Sequence, residues 1–138
     1  MNSLSVSSNE SASAANKLVL VVEDDKFLRD MLVNKLEGAG FQVNAATCGE
    51  DAFKMLKRHI PDAITLDLLM PDADGFQVIE KLKSNPRTSD IPILVLSNLM
   101  GKGDIDRAMS LGAADYMVKA NSTPNEIVSR VKMLVVQK

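Results

Sequence analysis

The sequence predicts an α/β fold: a five-stranded parallel sheet, doubly wound as (βα)5, with helices on both faces. Two observations predict it. Short runs rich in Leu, Val and Ile alternate five times with segments of helical periodicity. The residues closing those runs are polar, as they are where open parallel sheets bind their ligands.

The elements follow in order from residue 17, where the pattern becomes regular. Leu18–Val22 is a run of Leu and Val, as in a strand buried on both faces. Phe27, Leu28, Met31, Leu32 and Leu36 recur at helical spacing, and Gly38 supplies a stop. Residues 41–45 form a second strand. Thr47 and Glu50 read as a T-x-x-E capping box, with Ala52, Phe53, Leu56 and Ile60 on one helical face and Pro61 ending it.

Ala63–Leu66 is a third strand, closed by Asp67, and Phe76, Ile79 and Leu82 mark a third helix. Residues 91–96 make a fourth strand. Ile105, Ala108, Met109 and Gly112 indicate a fourth helix, and residues 116–118 a short fifth strand. Thr123, Pro124 and Glu126 give a second capping box with Pro at the first helical position, and Ile127, Val131, Leu134 and Val135 continue that helix. Residues 1–16, rich in Ser, Ala and Asn, read as a disordered arm, which leaves residues 17–138 as one domain.

Composition narrows the function classes. The chain has 138 residues, 46% of them apolar, enough for one well-filled core. Its formal charge of −2 argues against a general nucleic-acid surface. No apolar run reaches the ~20 residues of a membrane span, and residues 1–16 lack a signal peptide's basic and apolar regions. A single cysteine, Cys48, excludes an internal disulfide and fits a reducing, cytoplasmic setting. Cys48 sits where a helix begins, so a redox thiol stands as the alternative to an inert small residue. A nucleotide-binding loop of the G-x-G-x-x-G or Walker type is missing.

The strand ends carry the chemistry. The first strand ends in Glu23, Asp24 and Asp25, the third in Asp67, the fourth in Ser97 and the fifth in Lys119. Singly, Asp25 is a helix cap, Ser97 a loop serine and Lys119 a surface charge. Asp67 is harder to dismiss, because apolar residues flank it on both sides. Two carboxylates ~5 Å apart repel by about 3 kcal/mol at an effective dielectric near 20, so three need a cation. An all-oxygen set suits Mg²⁺, and with one Cys and one His zinc is a poor match. A carboxylate beside Mg²⁺ and an ammonium can accept a phosphoryl group as nucleophile.

These residues resemble the receiver domain of two-component response regulators, a flavodoxin-like fold of the chemotaxis-regulator type. LVLVVEDD (18–25), LDLLMPDADGF (66–76), ILVLSN (93–98) and GAADYMVKA (112–120) carry the resemblance, in order on alternating strands. It implies Asp67 as phosphoacceptor and Glu23 and Asp24 as the acidic pair, Asp24 the direct metal ligand. The Leu69 carbonyl would complete the protein's share of a Mg²⁺ shell, with Mn²⁺ as a substitute. Lys119 would pair with the phosphoryl group, Ser97 would be the switch hydroxyl and Tyr116 the switch aromatic. A plainer reading packs Tyr116 under the last helix.

The resemblance also implies a phosphodonor, either a histidine kinase or a phosphotransfer protein. A protein target would dock at the fourth helix–fifth strand–fifth helix face, with the chain a monomer or a phosphorylation-dependent dimer. No direct contact with nucleic acid or membrane is expected, nor any enzymatic activity beyond self-phosphorylation and slow autodephosphorylation. Within 138 residues there is no room for an output domain, so the expectation is a single-domain regulator unless the chain is a fragment.

Two positions depart from the family pattern. Ala120 follows Lys119 where proline is usual, which leaves open whether that peptide is cis and how far the lysine reaches. Asn98 follows Ser97 where a small residue is common, and its bulk is expected to slow both transfer and hydrolysis. Of the competing classes, an aspartate-nucleophile phosphohydrolase would want an acid at position 69, which is Leu. A receiver-like module that is never phosphorylated would lack an acid, the lysine or the hydroxyl, and all are present. Flavin binding would need a phosphate loop where Glu23, Asp24 and Asp25 stand.

Overall fold

The computed structural model describes residues 16–137. Five parallel strands, β1 (Leu18–Val22), β2 (Gln42–Ala46), β3 (Ala63–Leu66), β4 (Ile93–Ser97) and β5 (Asp115–Val118), form one sheet in the order β2-β1-β3-β4-β5. The intervening helices are α1 (Lys26–Gly38), α2 (Gly49–Arg58), α3 (Gly75–Ser84) and α4 (Lys102–Leu111), and α5 (Pro124–Gln137) follows β5. The expected arm at residues 1–16 lies outside the described residues except for Asn16.

Two apolar layers sandwich the sheet, and side-chain alternation along each strand feeds both. Leu20, Ile64, Leu66, Ile93 and Val95 pack toward α2, α3 and α4 with Leu56, Ile79, Leu82 and Ala108. Val19, Val21, Ala63, Leu94 and Leu96 pack toward α1 and α5 with Leu32, Leu36, Ile127 and Val131. β3 and β4 are buried along their whole length, which is why their sequences are continuously apolar.

Several boundaries shift from the sequence reading. β2 and β4 begin and end later than expected; β2 pairs through Ala46 with Val22, and β4 through Ser97 with Val118. α1 includes Gly38, and the left-handed residue that turns the chain is Gly40, at φ 104°. Gly101 caps α4 and Gly103 lies inside it, so the loop after Ser97 spans residues 98–101. Asp25 does cap α1, its Oδ1 accepting from the Phe27 and Leu28 amides at 2.9 and 3.4 Å. The capping box at α5 is also present, Glu126 Oε1 accepting from the Thr123 amide and Thr123 Oγ1 from the Glu126 amide.

The proposed box at α2 is not formed. Cys48 occupies the cap position, Thr47 Oγ1 instead bonds Asp51, and α2 ends at Arg58, leaving Ile60 exposed beyond it. The cap arrives from elsewhere in the chain: Asp72 accepts the Gly49 and Glu50 amides at 2.9 and 3.0 Å. Those two bonds hold the Asp72 carboxyl below the usual range and fasten the β3–α3 loop to the start of α2.

Gly75 closes the other end of that loop. A Cβ there would lie 2.4 Å from Leu68 Cα and 2.8 Å from the Leu68 carbonyl oxygen, both backbone atoms. Gly75→Ala should therefore destabilise by about 1–3 kcal/mol in urea unfolding, as overpacking does. Gly38→Ala, which meets nothing within 4 Å, should be neutral or stabilising by up to about 1 kcal/mol in the same measurement.

Candidate phosphoacceptor and metal site

Strand order places the site. The chain leaves β1 for β2 on one side and returns to β3 on the other, so β1 and β3 flank the switch point where the crevice opens. Val22 is in register with Leu66, and the Asp67 amide donates to the Val22 carbonyl at 3.2 Å. Glu23 and Asp67 thus leave neighbouring strands at the same level. On the other side of β3, Ser97 pairs with Val118, which sets Lys119 one residue above it.

The register brings together three of the four acids at these strand ends. Oxygens of Glu23, Asp24 and Asp67 lie within 4.8 Å of one another, Glu23 and Asp67 buried and Asp24 exposed. These three carboxylates could hold a metal ion, and a compact all-oxygen set open to water on one side fits Mg²⁺. Asp25 turns to its own helix instead, as its position as a cap requires.

Lys119 supplies the opposite charge. Its Nζ lies 2.7 Å from Asp67 Oδ2 and 2.9 and 3.1 Å from the two Glu23 oxygens. None of the described peptide bonds is cis, so Lys119–Ala120 is trans and the lysine still reaches both acids. Residues Lys119–Asn121 form a single 3₁₀ turn that carries it there.

The remaining named residues sit around this centre. The Leu69 amide donates to Asp67 Oδ1 at 3.1 Å, while its side chain is exposed. Ser97 is fully buried and its Oγ accepts from the Leu99 amide at 3.3 Å. The Tyr116 hydroxyl donates to the Leu99 carbonyl at 2.5 Å. Tyr116 packs with the α2–α4 layer, on the face opposite α5, so the reading that put it under the last helix is incorrect. The cause is strand parity: Met117, the next residue, is the one that turns toward α5.

The sequence reading missed one contributor. Arg29, one turn into α1, donates from Nη1 to the carbonyls of Glu23 and Asp24 at 2.9 and 3.1 Å. That holds the acidic turn in shape without neutralising its carboxylates. An arginine in the first turn after an acidic strand end was the available signal.

Charge at the site is unbalanced. Burial pushes the Glu23 carboxyl up, outweighing the Lys119 hydrogen bond that would lower it. Burial pulls Lys119 down, but its hydrogen bonds to Asp67 and Glu23 more than offset that, and its pKa is raised. A raised lysine pKa contributes stability that is complete below the ordinary value of 10.5 and is lost as pH climbs through the raised one. Lys119→Met removes that contribution. The stability gap between wild type and Lys119→Met should therefore be widest where the carboxylates are ionised and the lysine charged, hold there up to about pH 10 and narrow above it, read as urea midpoints against pH.

The family model described as the response regulator receiver domain matches residues 19–132. The phosphate regulon transcriptional regulatory protein PhoB of Rhizobium meliloti is 34% identical over 117 residues, 85% of this chain and 51% of that protein. The response regulator PleD of Caulobacter vibrioides is 39% identical over 101 residues, 73% of this chain and 22% of its own. The chain spans about half the length of several curated regulators it matches.

Among solved structures, the signal receiver domain of a signal transduction histidine kinase from Syntrophus aciditrophicus has a TM-score of 0.80 at 31% identity, over 88% of this chain and 91% of that one. The signal receiver domain of a DNA-binding response regulator from Colwellia psychrerythraea has a TM-score of 0.81 at 30% identity, over 88% and 100%. The order of the strands, the acids at the ends of β1 and β3 and this match across most of the chain agree: the chain belongs to the response regulator receiver family.

Proposed function

We propose that this domain is a phosphorylation-dependent signalling switch that takes a phosphoryl group on Asp67. The observation that carries the reading is the Asp67 carboxylate held between Lys119, at 2.7 Å, and the acids Glu23 and Asp24. The donor is a histidine kinase or phosphotransfer protein. One Asp67 oxygen attacks phosphorus, a P–O bond forms, and the bond from phosphorus to the donor's imidazole nitrogen breaks. Lys119 follows the charge onto the phosphoryl oxygens. Mg²⁺, when bound by Glu23, Asp24, Asp67 and the Leu69 carbonyl, would neutralise charge on the transferring group.

The switch follows from the same residues. A phosphoryl group adds about −1.5 to −2 charge and three acceptor oxygens. Ser97 and Lys119 are the donors placed to answer it, Ser97 giving up its present bond to the Leu99 amide. The Leu99 carbonyl holds the Tyr116 hydroxyl, so a shift of residues 98–101 would be felt at β5. The α4–β5–α5 face is thereby the proposed docking surface for a protein target, in the cytoplasm. Among the described residues no helix is long and apolar enough to cross a membrane. No chemistry beyond self-phosphorylation and autodephosphorylation is proposed.

Two measurements test this reading. Intact mass after acetyl phosphate with Mg²⁺ should rise by about 80 Da, one phosphoryl group, in wild type and not in Asp67→Ala. Equal labelling of both would exclude Asp67. In a separate experiment, Mg²⁺ at a hundred times its dissociation constant should raise wild-type unfolding free energy by about 2.7 kcal/mol. Asp24→Asn should lose most of that increment; an undiminished increment would remove Asp24 from the metal set.

A further inference from the structure

The two residues that depart from the family pattern touch each other. The Ala120 amide donates to Asn98 Oδ1 at 3.0 Å. A proline at 120 would have no N–H to offer, so this bond exists only because residue 120 is not proline. Only the oxygen of the Asn98 amide can accept an N–H, which settles the orientation of that side chain.

Both ends of this bond are set by other contacts. On one side, Ser97 pairs with Val118 and is fully buried, and Leu99 is held by Ser97 Oγ at its amide and by the Tyr116 hydroxyl at its carbonyl. Asn98 is therefore bracketed by two fixed neighbours. On the other side, Ala120 lies in the 3₁₀ turn that bears Lys119. The far end of that turn is closed by Ser122, whose amide donates to the Lys119 carbonyl at 3.3 Å and whose Oγ donates to the Val118 carbonyl at 2.8 Å. The Asn98 bond holds the same turn to the end of β4.

Lysine needs such a hold. Its side chain has four rotatable bonds, and fixing its ammonium forfeits considerable rotamer entropy. A backbone already set at the right height leaves less to lose when Nζ closes on Asp67 and a phosphoryl oxygen. We propose that Asn98 is a positioning residue: by accepting the Ala120 amide it keeps the Lys119 turn seated, and Lys119 within reach of Asp67. This rests on Asp67 being the acceptor. It also reverses the sign expected from bulk alone, which would make a smaller residue at 98 faster.

The test uses Asn98→Leu, which keeps bulk without an acceptor, and Asn98→Ala, which keeps neither, each with Ala120 and with Ala120→Pro. Two readouts are taken: the rate of Mg²⁺-dependent labelling by acetyl phosphate, and amide exchange at residue 120 by NMR in the Ala120 proteins. Both Asn98 variants should label about three- to tenfold more slowly than wild type, the rate equivalent of one ordinary hydrogen bond. In the Ala120→Pro background the same changes should alter the rate by less than about twofold, because the donor is gone. The Ala120 amide should exchange faster in both variants. The proposal is overturned if Asn98→Ala labels as fast as wild type or faster, if the slowing persists undiminished in the proline background, or if Ala120 exchange is unchanged. Failure of the acceptor reading has another signature: wild type takes no label, yet Ala120 exchange still quickens in the variants. That result overturns the positioning role and leaves the bond a structural one.

Discussion

Two buried carboxylates at the ends of adjacent strands, facing one ammonium, are the constraint around which the rest of the domain is arranged. Glu23 and Asp67 are each almost fully withdrawn from solvent, and Asp24 adds a third carboxylate at the edge. Buried charge is costly unless it is paired. Lys119 pairs with both acids, at the cost of ordering a long side chain, and one positive charge cannot balance three negative ones. Burial, which Lys119 offsets only in part, leaves the Glu23 pKa raised: its stabilising contribution is complete at low pH and is lost as pH rises through the raised value. The site is thus poised to gain from a divalent cation.

The surrounding framework keeps these charges from relaxing apart. Arg29 holds the carbonyls of the acidic turn, and the Leu69 amide fixes one Asp67 oxygen. Gly75 lets the β3–α3 loop fold back against Leu68, and Asp72 fastens that loop to α2. Arg29, Gly75 and Asp72 act on backbone and leave the site carboxylates untouched, while the Leu69 amide takes one acceptor position on Asp67 Oδ1. Strain or loss at any of them would reach the site through position rather than charge.

The apolar layers bear on the proposed switch. β4 and β5 carry Ser97 and Tyr116 into a closely packed α/β sandwich, where interiors resist continuous deformation. A change in hydrogen bonding at Ser97 therefore has few ways to be absorbed locally. Residues 98–101, exposed for the most part and linked to β5 through the Leu99 carbonyl, are where it can be expressed.

The sequence by itself determined the order of elements, the two apolar layers and the identity of the residues at the strand ends. Those are local properties: period-two and period-3.6 patterns, and the residue that follows each apolar run. Asp25 as a cap and the Thr123–Glu126 box were legible for the same reason, since both partners lie within a few positions of each other. Only the tertiary structure decided which strand ends become neighbours, because the order β2-β1-β3-β4-β5 depends on long-range packing. It joined Lys119 to Glu23 across 96 positions and to Asp67 across 52. It replaced the expected Thr47–Glu50 box with Asp72, and it paired Asn98 with Ala120, each a contact between residues more than 20 apart. No local period encodes such contacts; they are set when helices and strands pack, which is where a list of polar residues becomes a site.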